Sequence, residues 1–372
     1  MTARTTPWSV RGVPTPDALD ADDWLLRGGV EALNESRIDT WGNTDHTQTV
    51  DDYRAWLADQ RFAAKACLVA VRDDADGMPD PARVLGFATL HLPLTDNTHT
   101  AEVDVAVRPP SRRAGIGTAL HTAVLDQVRA AGRTHVIAST DQRVEPGPGP
   151  TSLVPATGQG LVDRRLPGVR LALKHHYALE QVGRFSVLDL PLDESALAGF
   201  EAGAAAAAGA DYRTISWEGS CPERWVSEFA ALLAQMSTDA PRGGLEIEEE
   251  AWGAARVQAM QDELFRSRRQ YRATAAEHVP SGRLVAFTSF ECPAHTPEYV
   301  DQDDTLVLPE HRGHRLGMLV KAVNLRSLAQ ARPEVRRVGT WNAEENAHML
   351  AINAALGFRA AGGSGEWQLR LG

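Results

Sequence analysis

The chain has 372 residues, 43% hydrophobic and 23% charged, a size and balance that fit a soluble protein of two domains better than a single core. Its net charge of -11 argues against nucleic acid as a partner, and no apolar run approaches the roughly 20 residues that span a bilayer, so no membrane association is expected. Three cysteines, Cys67, Cys221 and Cys292, lie far apart with no second ligand at zinc spacing, which predicts reduced thiols, no metal and a cytoplasmic setting. The first residues, "MTARTTPWSVRG", lack the apolar stretch of a secretory leader. "TVDDYRAWLADQRF" then reads as a helix. "FAAKACLVAVRD" and "RVLGFATLHL" read as a strand pair turned by the charged "DDADGMPDPA". "TAEVDVAVR" is a strand, and "GIGTALHTAVLDQVRAAG" a helix with Ile116, Leu120, Val124 and Val128 on one face and Gly132 as its stop. "THVIAST" is the next strand. Residues 141–168 hold five prolines and five glycines, which predicts an irregular segment acting as a lid or binding loop. "FEAGAAAAAGADY", residues 200–212, is expected to be a short helix or a loose linker. "CPERWVSEFAALLAQM" is a helix, and "RLVAFTSFE", "DDTLVL", "HRLGMLVKAVNLRSLAQ" and "VRRVGTWN" repeat the strand, strand, helix, strand order. "AHMLAINAAL" is a last helix stopped by Gly357.

That second run is a copy of the first, displaced by 200 residues. Aligned without a gap over 35 positions from Arg83 and Arg283, eight pairs are identical: Arg83/Arg283, Phe87/Phe287, Pro93/Pro293, Asp104/Asp304, Val107/Val307, Pro109/Pro309, Arg112/Arg312 and Gly117/Gly317. A repeat this long is a whole domain rather than a solenoid unit. With the alanine-rich stretch as the junction, the expected domains are residues 1–205 and 206–372. The strand-helix-strand order in each predicts a mixed or parallel sheet with helices on its faces.

In "VAVRPPSRRAGIGTAL" a strand runs into two glycines and then a helix. The first amides of a helix have no partner within it, and with the helix dipole they form a site for an anion that glycine lets approach closely. Arg112 and Arg113 are expected to add charge-assisted contacts, so the loop reads as a phosphate or diphosphate cradle. It lacks the GK[ST] of a Walker loop and the third glycine of a dinucleotide turn.

The same stretch resembles the acetyl-CoA motif of the GNAT N-acetyltransferase superfamily, V-x-P-x-x-[QR]-x-x-G-x-[GA], matched at Arg112, Gly115 and Gly117. The second copy, "LVLPEHRGHRLGMLVKAV", matches at Arg312 and Gly317 but has Arg315 in place of the first glycine, which would either crowd a diphosphate or add a cation to it. "NAHMLAINAALGF" resembles the family's last motif at Asn346, Gly357 and Phe358, with Asn353 in its tyrosine position. The resemblance implies an α/β (α+β) fold: two tandem GNAT-type domains, each a mixed central sheet flanked by helices. It implies acetyl-CoA as co-substrate. Its pantetheine amides would pair with Val105 and Val107, and its diphosphate with the amides of Arg113, Ala114, Gly115, Ile116, Gly117 and Thr118. The second-copy counterparts are Thr305, Val307, Arg312, Gly313, His314, Arg315, Leu316, Gly317 and Met318, and Asn346 would lie near the pantetheine arm. Tandem proteins of the family include mycothiol synthase, in which the later domain catalyses.

Acetyl transfer to an amine needs a base for the ammonium, donors for the oxyanion and an acid for the thiolate. Strand alternation puts Glu102 and Asp104 on one face of "AEVDVAV". Glu102 resembles the family's general-base glutamate. Gln302 takes its place in the gapless second copy and cannot be a base, and the shared Asp104/Asp304 pair is expected to serve a structural hydrogen bond or a secondary base. Tyr177, after the last helix of the first copy, is the remaining candidate acid. The expected activity is transfer of acetyl from acetyl-CoA to a primary amine of a small molecule within a ternary complex. The first copy is the better candidate for turnover, and a homodimer is among the expected assemblies. The competing expectation is a catalytically decayed CoA-binding sensor or scaffold.

Overall fold

The computed structural model describes residues 7–14, 23–73 and 78–371. Part of the charged turn expected between the first two strands, residues 74–77, lies outside the described residues. The chain divides into two compact units: Met1–Val182 with Gly244–Glu246 and Ser364–Gly372, and Gly183–Gly243 with Ile247–Gly363. In the first unit the elements run β1 (Trp8–Gly12), α1 (Trp24–Trp41), α2 (Val50–Ala58), β2 (Ala63–Arg72), β3 (Val84–Pro93), β4 (Thr100–Val107), α3 (Ile116–Ala130), β5 (His135–Gln142), β6 (Ser152–Leu153), β7 (Val162–Asp163) and α4 (Pro167–Lys174), followed by the start of β8 (Ala178–Asp189). The second unit holds α5 (Glu194–Ala208), β9 (Tyr212–Glu218), α6 (Val226–Asp239), α7 (Ala254–Arg266), β10 (Gln270–His278), β11 (Arg283–Cys292), β12 (Tyr299–Val307), α8 (Leu316–Ala331), β13 (Arg337–Ala343), α9 (Ala347–Leu356) and the start of β14 (Arg359–Arg370).

In the first unit β1, β2, β3 and β4 pair antiparallel in that order and β5 joins β4 in parallel. Residues of β14 from Ser364 onward belong to this unit as well, and Trp367 Nε1 donates to Thr140 Oγ1 of β5 at 2.9 Å. The second unit orders β9, β10, β11 and β12 antiparallel, β13 parallel to β12, and the part of β8 from Gly183 antiparallel to β13. Each sheet is therefore mixed, as the repeat order predicts.

Alternation in β4 sends Ala106 into a core with Leu26, Val30, Leu33 and Leu57 from α1 and α2, and Val103 into one with Leu120, Val124 and Val128 from α3. The apolar face of α3 buries Ile116, Leu120, Val124 and Val128, as its spacing requires. Helix α2 opens on a capping box in which Thr49 and Asp52 satisfy each other's backbone amides.

Three expectations need revision. The Pro/Gly-rich segment is not wholly irregular: β6 and β7 form a two-residue antiparallel bridge, Gln142 Nε2 donates to the Leu161 carbonyl at 2.6 Å, and Val162 is fully buried. The alanine-rich stretch is neither short nor loose, because it continues α5, whose first turn is capped by Asp193. The gapless repeat also breaks inside β12. There Thr288 faces Thr305 but Phe290 faces Gln302, so β12 carries one extra residue that β4 lacks. Asp301 faces Glu291 as Glu102 faces His91, and Gln302 turns into the core at 3% exposure. Asp301, not Gln302, is the structural counterpart of Glu102.

Candidate active site

The site of the first unit begins where two strands part. β4 and β5 pair in parallel only at Thr100/His135, Ala101/Val136 and Glu102/Ile137. Beyond Glu102 the β4 backbone, including the sequence-named Val105 and Val107, keeps β3 on one side and has no β5 partner on the other. The second unit repeats this: β12 and β13 pair from Tyr299/Arg337 to Gln302/Thr340 and then separate, leaving Thr305 and Val307 in the gap. An open edge of this kind is free to pair with another extended amide chain.

At the end of the gap lies the glycine loop. Pro109–Ser111 form a single 3-10 turn, and the first intrahelical bond of α3 runs from Ala119 N to the Gly115 carbonyl at 3.0 Å. The amides of residues 113–118 precede it, so the donors named from the sequence sit together at the helix start. Arg113 and Gly115 both take left-handed backbone, with φ of 67° and 87°. In the second unit Gly313 and Arg315 do so, at 85° and 55°. Both loops therefore have the same alternation of left-handed residues, a form that turns successive amides toward one point. Each spends its glycine at a different one of the two positions. Arg315 preserves the loop shape, and its guanidinium lies toward α5, with Nη1 3.8 Å from where a Cβ on Gly203 would stand. A Cβ on Gly115 would meet nothing closer than Trp8, at 4.0 Å, so packing leaves that side of the loop open.

The arginine expected to hold phosphate has another partner. Arg112 Nη1 donates to Asp39 Oδ2 at 2.6 Å and Nη2 to Ser36 Oγ at 3.1 Å, tying the loop to α1. Arg312 repeats the arrangement with Asp239 of α6. These guanidiniums brace the loop from behind. Lys174, at the end of α4, was not foreseen: its Nζ donates to Thr118 Oγ1 at 2.9 Å beside the helix start.

Glu102 and Asp104 project from the face of β4 that α1 and α2 cover, and both keep solvent contact. Directly across from Glu102 stands His91 of β3, its Nδ1 3.5 Å from Glu102 Oε1. Crowding by protein pushes the Glu102 pKa up, but the neighbouring His91 outweighs it and holds the carboxyl below its ordinary 4.5. Further along the face, Trp41 Nε1 donates to Asp141 Oδ2 at 3.1 Å. Burial, opposed by Arg37 and Trp41, raises Asp141, and burial pushes Glu366 up to about 7 against its bond from Ser364. The second unit places Glu291 and Asp301 where the first has His91 and Glu102. Arg269 Nη1 reaches Glu291 at 3.1 Å, yet burial and then Asp303 push Glu291 up to about 8. Asp303 and Asp304 are raised as well, by burial first and then by neighbouring carboxylates.

Two further candidates have partners within the protein. Tyr177 is buried at 6% exposure in the α3-side core, with its hydroxyl 3.0 Å from His121 Nε2 and its pKa driven upward by burial. A phenol packed this way is held by the core rather than offered to a thiolate. Asn346 caps α9, accepting from Met349 N at 3.2 Å. Asn353, in the motif's tyrosine position, is buried and donates to Asn342. Among the described residues no group of three or more histidine, cysteine or acidic side chains is arranged to hold a metal.

The model of the acetyltransferase (GNAT) family matches residues 30–145, which contain α1, the parted strands, the loop and α3. The first unit therefore carries a domain of the acetyltransferase (GNAT) family. A tandem GNAT protein from the clavulanic acid biosynthesis pathway, solved without acetyl-CoA, is 25% identical over 98% of this chain and 99% of its own, with a TM-score of 0.70. A GCN5-related N-acetyltransferase from Sphaerobacter thermophilus, 14% identical over 99% and 98% of the two chains, shares the fold with a TM-score of 0.57. No curated protein matches the sequence. The GNAT domain of the first unit and these neighbours support acyltransferase activity.

Proposed function

We propose that the first unit transfers an acetyl group from acetyl-CoA to the primary amine of a small molecule, by direct attack in a ternary complex. The observation that carries this reading is the amide cluster of residues 113–118 at the end of the gap between β4 and β5. The unpaired edge of β4 would pair through Val105 and Val107 with the two amides of the pantetheine arm. The loop amides would donate to the diphosphate oxygens, with Lys174 beside them. The open side of Gly115 fits this, since a side chain there would occupy the anion's place.

The acceptor would enter from the α1 and α2 face, where Glu102, Asp104 and Asp141 carry negative charge suited to an ammonium. Its proton must leave before the nitrogen lone pair can attack the thioester carbon. The C–S bond then breaks and the thiolate leaves protonated. The second unit keeps a loop of the same backbone form but places a carboxylate opposite a carboxylate at the corresponding strand position, which favours the first unit for turnover.

Calorimetric titration with acetyl-CoA, followed by an amine screen for free-thiol release, tests the reading. Binding with release for at least one primary amine is expected. Binding with no release over a broad amine set would instead make the chain a CoA-binding sensor.

A further inference from the structure

We propose that His91, oriented by Glu102, is the group that takes the acceptor's proton. This rests on the acetyl-transfer reading but concerns a residue the sequence motifs do not point to. His91 and Glu102 are register partners on adjacent antiparallel strands, so their side chains leave the same face of the sheet. They belong to a row across four strands: Lys65 of β2, His91 of β3, Glu102 of β4 and Ile137 of β5. The row ends where β4 and β5 part, beside the site of the thioester in the proposed pose.

The imidazole Nδ1 is buried without a hydrogen bond and lies 3.5 Å from Glu102 Oε1, while the side chain as a whole is 29% exposed, which leaves Nε2 as the nitrogen that meets solvent or substrate. The other charged groups facing the pair are Lys65, whose ammonium lies over the Trp56 ring of α2 at 5.3 Å, and Asp104, two residues along β4.

The chemistry favours the imidazole over the carboxylate. A carboxyl held below its ordinary range is a weak acceptor for a proton from an alkylammonium, whereas imidazole is the side chain that most often serves as a general base. The step balances as follows. His91 Nε2 receives one proton from the ammonium. The freed lone pair forms the N–C bond to the thioester carbon, the C–S bond breaks, and the second nitrogen proton goes to the departing thiolate. The imidazolium, stabilised by Glu102, returns its proton to solvent. Glu102 is then a positioning residue, as carboxylates are for imidazoles that accept protons elsewhere.

The test uses the full chain with H91Q and E102Q, reading thiol release against pH with the best amine from the screen. H91Q is expected to lower kcat/KM by about 100-fold and remove the acid limb of the profile, with acetyl-CoA affinity within about twofold of wild type. E102Q is expected to lower kcat/KM by roughly tenfold and to keep the acid limb. The reverse ranking, collapse in E102Q with H91Q within about threefold of wild type, would make Glu102 the base and overturn the proposal. A second arm needs no acceptor. In histidine-labelled NMR spectra the His91 ring signals should move in E102Q relative to the wild type; coincident signals would sink the pair. Failure of wild type to release thiol defeats the acetyl-transfer reading instead, and the NMR arm still decides the coupling.

Discussion

Lys321 offers the sharpest test of the physical reasoning, because it is a charged residue type in an apolar place. It lies on α8 at 1% exposure, with its Nζ 5.7 Å from the Phe358 ring centroid and no ion pair among the described residues. Burial alone drives its pKa from 10.5 to about 7. At roughly 1.4 kcal/mol per pH unit, that displacement represents on the order of 5 kcal/mol opposing the charged form in the folded unit, an upper bound because local relaxation admits water. The sign follows from linkage. Between pH 7 and 10.5 the unfolded chain holds this proton and the folded chain does not, so stability rises with pH across that window and falls as the solution is acidified through it. Lys321→Met keeps the length of the side chain and removes the ionisation. It should stabilise the second unit at pH 7 by about 2–4 kcal/mol and flatten the rise toward pH 10. Urea denaturation at pH 7 and pH 9.5, followed by tryptophan fluorescence, measures both. A variant less stable than wild type at pH 7, or a wild type whose midpoint does not climb with pH, would refute the assignment of a desolvated amine.

Two further outcomes test the loop. Gly115→Glu should abolish acetyl-CoA binding to the first unit, because it combines a left-handed backbone strain of about 1–2 kcal/mol with a carboxylate at the proposed phosphate position. Gly115→Ala should weaken binding by the strain alone, and titration calorimetry separates the two; equal effects would remove the electrostatic half of the argument. For the brace, a double-mutant cycle on Arg112→Ala and Asp39→Ala should give a coupling of about 0.5–1 kcal/mol in thermal stability, since the pair is partly exposed. Acetyl-CoA affinity should fall in both single variants to a similar extent if the guanidinium acts by holding the loop. A loss confined to Arg112→Ala would mean that it touches the phosphates directly.

What the sequence made legible was local or repeated. The helix from Ile116, the α9 helix from Ala347 to Leu356 and the strand order all follow from apolar spacing and from glycine stops, which act within a few residues. The loop could be read because Gly115 stands where unpaired amides and open space coincide. The remainder depended on pairing between distant residues. Nothing near Glu102 announces His91, which reaches it only through the β3–β4 register. Nothing near Arg112 announces Asp39, 73 residues away, although the recurrence of Asp239 before Arg312 at the same separation was a usable signal. The one-residue bulge in β12 shows how the gapless comparison misled. Identities on either side of it, Phe87/Phe287 and Val107/Val307, hold the alignment in place, while the chain between them loses a residue before the strand and regains it inside. Side chains in a strand alternate between faces, so that single displacement exchanges Gln302 for Asp301 at the working position. The two units consequently share a loop of one backbone form and differ in the chemistry opposite it: an imidazole facing a carboxylate in one, two carboxylates with Arg269 in the other. The two units keep the groups that shape the loop and differ in the groups that would move a proton in the proposed reaction, so similarity of the loops does not carry over to similarity of the proposed chemistry.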